Sequence, residues 1–74
     1  MMNEMLVMDQ TGHTRTLWDP ADDDEINVAE RIFNDLASKG YSAFSTKGDD
    51  MGKRLRKFDP AAGSMIMVPP LQGG

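Results

Sequence analysis

The chain contains no cysteine. No disulfide can staple it, and no thiolate is available as a nucleophile or soft-metal ligand. No apolar run approaches the roughly 18 residues of a membrane-spanning helix, and no charged-then-apolar opening marks a secretory signal. A cytoplasmic protein without a membrane partner is therefore expected. Histidine occurs once, as His13 among turn formers, where it reads as a solvated surface residue. With no serine–histidine–carboxylate arrangement around it, nucleophilic catalysis has no machinery, and the chain is not expected to be an enzyme. An overall basic excess is missing too. The net charge is −4, which argues against general nucleic-acid binding.

Two stretches approach ligand motifs and fall short. Gly48-Asp49-Asp50-Met51-Gly52-Lys53-Arg54 lacks the glycine spacing of a phosphate loop and has Arg54 where a hydroxyl would hold magnesium. Asp22-Asp23-Asp24-Glu25 lacks the spacing and glycine of a calcium loop. No metal and no cofactor is expected.

The 74 residues make one small domain, which buries only about 60% of its unfolded surface. Charge is unevenly placed. Residues 1–40 carry nine acidic and three basic side chains, a net of −6; residues 41–74 carry three and five, a net of +2. An acidic surface around one part and a basic one elsewhere follow from this.

Met5-Leu6-Val7-Met8 is apolar at both parities, as in a central strand covered on both faces. Asp9 to His13 is a turn with Gly12 free for positive φ, and Thr14 to Trp18 reads as the returning strand. Asp19-Pro20 ends it. The four acids from Asp22 favour a helix N-terminus, and Asp22 with Glu25 has capping-box spacing. Ile26, Ala29, Phe33, Leu36 and Ala37 form one stripe, flanked by Val28 and Ile32. Gly40 suits the residue after the helix cap. Residues 41–46 predict a third strand. Residues 53–58 predict a fourth, its basic side chains suiting an edge. Residues 64–68 predict a fifth. Most of the seven methionines fall on strands, as adaptable core filler.

The order β-β-α-β-β-β predicts an α+β fold with one helix across one face of a mixed sheet. The other face is left open to solvent or a partner. The first and fifth strands are the most apolar and are placed side by side at the centre, which is a β-grasp. A meander of the last three strands is the alternative. The domain spans residues 1–68. Residues 69–74, Pro-Pro-Leu-Gln-Gly-Gly, predict a slim flexible tail: proline cannot continue a paired strand, and two glycines carry the least bulk and the widest backbone freedom.

Several fragments are similar to ubiquitin and its relatives, in the right order along nearly the whole chain. Thr11-Gly12-His13-Thr14-Arg15-Thr16-Leu17 is similar to ubiquitin's first hairpin. Asn27-Val28 with Ile32 matches its helix. Phe44, Lys47, Gly52 and Leu55 keep the spacing of the third strand and following loop. Val68, Leu71, Gly73 and Gly74 match the closing strand and tail. Departures are equally specific. Pro69, Pro70 and Gln72 replace one leucine and both arginines of the ubiquitin tail. The family's apolar recognition patch maps onto Gln10, Ala43 and Val68, of which only Val68 keeps a sizeable apolar side chain. Lys47 falls at the best-known chain-linkage lysine, whereas Ala29 and Arg31 replace others.

The resemblance implies a divergent, monomeric protein modifier with protein targets and dedicated partners. Those would be an E1-like adenylating enzyme and an E2-like conjugating enzyme. Gly74 and Gly73 would form the conjugation site, with Leu71 and Gln72 read by the activating enzyme. A carboxylate must be activated before it acylates an amine, and a narrow tail permits entry to a confined channel. Three outcomes stay open: an isopeptide bond to a lysine, a C-terminal thiocarboxylate for sulfur transfer, or no activation, leaving a non-conjugated protein-interaction module.

Overall fold

Asp9 and Gly12 set the first hairpin. The Asp9 carboxylate accepts hydrogen bonds from the Thr11 amide and hydroxyl, both at 2.8 Å, and Gly12 takes φ +137°. Both are devices that tighten a turn. The computed structural model describes residues 2–9, 11–48 and 51–70. In it β1 (Asn3–Asp9) pairs antiparallel with β2 (Gly12–Trp18), from Asn3 opposite Trp18 to Asp9 opposite Gly12. After α1 (Asp23–Ser38) come β3 (Ser42–Ser45), β4 (Arg54–Leu55) and β5 (Ser64–Val68). The sheet order is β2-β1-β5-β3-β4, with β5 parallel to β1 and antiparallel to β3. This is the α+β, β-grasp-like arrangement expected from sequence. Because β5 separates β3 from β1 and β4 lies outermost, the alternative meander is excluded.

The helix termini follow from their residues. Asp22 accepts from the amides of Asp24 and Glu25 at 3.0 and 3.2 Å, satisfying two otherwise orphaned donors. The reciprocal half of the expected capping box is altered. Glu25 reaches past the cap and accepts from the Asp19 amide at 2.9 Å, while the Asp22 amide donates to the Asp19 carbonyl. At the other end the Tyr41 amide donates to the Leu36 carbonyl and the Gly40 amide to the Ala37 carbonyl. With Gly40 at φ +93° this is a Schellman closure.

Side-chain parity decides the core. Met5, Met65 and Met67 point to the helix and are fully buried, with Trp18, Ala29 and Phe33. Burying a side chain of the size of Met or Phe contributes about 1.5–3 kcal/mol. Ile26, Ile32 and Leu36 pack around them. Ala37 and Val28 are exposed, so the apolar stripe of α1 is narrower than the sequence pattern. β1 likewise is covered on one face only: Met5 is buried, whereas Met8 on the other parity is exposed.

The fourth strand is shorter than residues 53–58. It stops at Leu55, and the chain then bends so that Phe58 turns into the core. There its ring lies 5.1 Å from Trp18 and 5.7 Å, edge-on, from Phe33. Joining this aromatic pair outweighs continuing a solvent-exposed edge strand. The following turn is pinned by the Pro60 carbonyl, which accepts from Asn3 Nδ2 at 2.9 Å and Trp18 Nε1 at 3.1 Å. Among the described residues no helix is long and apolar enough to cross a membrane.

Candidate functional site

The face of the sheet opposite α1 carries the residues of the other parity. Strand register draws one row across all five strands: Arg15 opposite Leu6, Leu6 beside Ile66, Ile66 opposite Phe44, and Phe44 opposite Arg54. Three apolar side chains are thus bracketed by two guanidinium groups. Met8 and Val68, two residues further along β1 and β5, extend the apolar surface on the same face, each 37% exposed. Leu6, Phe44 and Ile66 are half-buried, with Ile66 in register between Leu6 and Phe44.

A polar row borders this patch. Arg15 Nε lies 3.1 Å from Glu4 Oε2. Ser64 Oγ lies 3.4 Å from Glu4 Oε1 and accepts from the Thr46 hydroxyl at 2.6 Å. The chain Arg15–Glu4–Ser64–Thr46 spans β2, β1, β5 and the end of β3. It orients Arg15 along the rim, leaving Arg54 as the outward cation of the row. Asp9 lies at the turn end of the same hairpin. It is held below the ordinary carboxylate value, first by the Thr11 hydroxyl and then by the Thr11 amide. An apolar centre with a cationic rim is the kind of surface that complements apolar and acidic side chains.

The structure redistributes the residues expected at a partner surface. Val68 is on the open face. Ala43 is not: it is 2% exposed, faces α1, and lies between Leu55 and Met67 in the sheet. Its neighbour Phe44 takes the open-face position, since a shift of one residue along a strand changes the face. Gln10 lies outside the described residues, as do Leu71, Gln72, Gly73 and Gly74. Lys47 is exposed beyond the end of β3, where its side chain runs beside Gly63. The sequence alone does not mark Leu6, Phe44 and Ile66 as a partner surface. The available signal was that β1 and β5 are apolar at both parities while one helix can cover only one face.

Among the described residues no group of three or more His, Asp or Glu side chains converges on a common point. β5 leaves the sheet centre at Val68, and Pro70 settles against Gly40 at the C-terminal end of α1. Compared with protein-family models, with curated proteins and with solved structures, the chain has no match in any of the three.

Proposed function

We propose that this protein is a ubiquitin-like modifier, recognised through its open sheet face and conjugated to target amines through Gly73-Gly74. The observation that carries the reading is the position of β5. It is the central strand of a β-grasp-like sheet, it runs parallel to β1, and it leads directly into Pro69-Pro70 and on in sequence to Leu71-Gln72-Gly73-Gly74. The resemblance of the hairpin, helix and tail residues to ubiquitin supports the same reading. In the chemistry proposed, a Gly74 carboxylate oxygen attacks the α-phosphorus of ATP and pyrophosphate leaves. An enzyme thiol then displaces AMP to form a thioester, and the acyl group passes by thioester exchange to the thiol of the conjugating enzyme. A lysine amine finally displaces that thiol, forming an isopeptide bond and releasing one proton. The protein is the substrate of these steps. An E1-like adenylating enzyme performs the first, and an E2-like conjugating enzyme carries the acyl group onward. Pro69, Pro70 and Gln72 assign it to enzymes other than those that read the arginines of ubiquitin.

A second reading is favoured by the row Leu6, Ile66 and Phe44. It is a non-conjugated interaction module, for which the face suffices and the glycines are idle. One experiment separates the two. The protein is incubated with ATP and extract of its own source, alongside a Gly73-Gly74 deletion and an Ile66→Ser variant. Higher-mass adducts that disappear with the deletion support conjugation. Partner binding that survives the deletion, without adducts, supports the module. A mass gain equal to a sulfur-for-oxygen exchange assigns the tail to sulfur transfer instead.

A further inference from the structure

The two edges of the sheet are built differently. β4, at one edge, is two residues long, and Arg54 on it and Arg56 and Lys57 just after it are exposed. Shortness and positive charge are ordinary means of keeping an edge from pairing with a foreign strand. β2, at the other edge, lacks both. It runs for seven residues, Gly12–Trp18, in unbroken register with β1, without a bulge, a lysine or a proline. Its one cation among the lysines and arginines, Arg15, is drawn over the open face by Glu4, 3.1 Å away. The outer side of β2 thus presents backbone donors and acceptors in the arrangement that strand addition uses.

Beside this edge an open groove of about 220 Å³ lies between β2 and α1, lined by Thr16, Leu17, Asp24, Glu25, Val28 and Ala29. Leu17 and Val28 are 49% and 57% exposed, so its walls are apolar surface that the fold leaves uncovered. The charged groups in its lining are both carboxylates. Glu25 already accepts from the Asp19 amide, whereas Asp24 is exposed and takes no part in either ion pair among the described residues. An added strand alternates its side chains between two faces. Asp24 and Glu25 address its α1 side. Arg15, in register with Leu6, addresses its open-face side.

We infer that the β2 edge and its groove receive an extended peptide of another protein. The peptide pairs with β2 and places an aliphatic side chain in the groove. At a neighbouring position on the same face it carries a Lys or Arg for Asp24 and Glu25. Its other face, beside Arg15, is free of cations, because like charges set directly opposite one another destabilise a strand pair. A second copy of this chain is a poorer occupant for the same reason: two β2 strands paired antiparallel about their centres oppose Arg15 to Arg15. Backbone hydrogen bonds supply the affinity, and the groove supplies the selectivity. This surface is separate from the row Leu6, Ile66 and Phe44, and it stands however Gly73-Gly74 are used.

Titration of short synthetic peptides into the nitrogen-labelled whole chain, followed by NMR, tests this. The peptides alternate valine with threonine, and one valine is replaced by lysine in the first probe and by glutamate in the second. The lysine peptide should shift the amide signals of β2 and of residues 24–29 and leave those of Phe44 and Arg54 in place. At low salt it should bind several-fold more tightly than the glutamate peptide, and added salt should narrow that gap. Asp24→Asn should remove the preference for lysine. Val28→Lys, at an exposed position of α1, should abolish binding of the lysine peptide. Circular dichroism checks that both variants fold. Absence of shifts with the lysine peptide would overturn the proposal, as would equal binding of the two peptides or shifts confined to the open face. So would a preference that survives Asp24→Asn, or binding that a folded Val28→Lys leaves intact.

Discussion

Pro70 lies against Gly40: a Cβ on Gly40 would come within 3.3 Å of the Pro70 Cβ. Gly40 also holds φ +93°, a left-handed value that an L side chain resists. One glycine thus both closes α1 and seats the segment that follows β5. Gly40→Ala is expected to destabilise the fold by about 1–2 kcal/mol from the backbone alone. It should also shift the NMR signals of Pro70, because the new methyl needs the space that the proline ring occupies. Denaturant unfolding and a proton–carbon spectrum check the two effects. Unchanged Pro70 signals would contradict the contact.

Phe58 closes the aromatic core between Trp18 and Phe33, in spite of its position in a basic stretch. Phe58→Ala should cost about 3–5 kcal/mol. A chain of this length has only about 4–11 kcal/mol in total, so the variant is expected to lose a large share of its stability and unfold at a much lower urea concentration. Lys57→Ala, one residue away and exposed, should change stability by less than about 0.5 kcal/mol. Urea midpoints for the pair decide whether Phe58 is core or edge strand.

Ala43 and Phe44 are adjacent and face opposite sides of the sheet. Ala43→Leu should destabilise by about 1–3 kcal/mol, because it inserts volume between Met67 and α1. Val68→Arg, on the open face, should leave stability nearly unchanged and abolish capture of any partner that uses the apolar row. Thermal unfolding of both variants and pull-down with Val68→Arg test the assignment of faces.

The Asp9 carboxylate is stabilised as the anion by Thr11. Its folded-state pKa lies below its unfolded value. The hairpin therefore gains a contribution present above pH 3.8, the ordinary carboxylate value. That contribution is lost as pH falls through the lower folded value. NMR titration of the Asp9 carboxyl carbon should show a midpoint below 3.8. Thr11→Ala should move the midpoint back up, since the hydroxyl donor is the largest cause of the shift.

The architecture was legible because several local signals agreed. Asp22 and Gly40 mark the ends of α1, Gly12 marks the hairpin, and the apolarity of residues 5–8 and 65–68 places β1 and β5 at the centre. The site was less legible. Fragment similarity to ubiquitin assigned Ala43 to the recognition surface, while strand pairing with Met67 turns it inward and gives the place to Phe44. A one-residue difference in phase is invisible to matched spacing but reverses the face. Phe58 was read with its charged neighbours, although what decides its position is the gap between Trp18 and Phe33, a long-range feature. The acidic and basic halves were visible as composition.

The most direct test of the proposed function is the chemistry of the junction. Adducts formed in ATP-supplemented extract of the source organism would be purified, digested with trypsin and sequenced by mass spectrometry. The last basic residue before the tail is Lys57, so trypsin would release residues 58–74 as one branch. The account predicts that branch joined through the Gly74 carbonyl to a lysine side-chain nitrogen of another protein. A chain recovered only as residues 58–74 with a free, unmodified end, or one found to continue past Gly74, would contradict it.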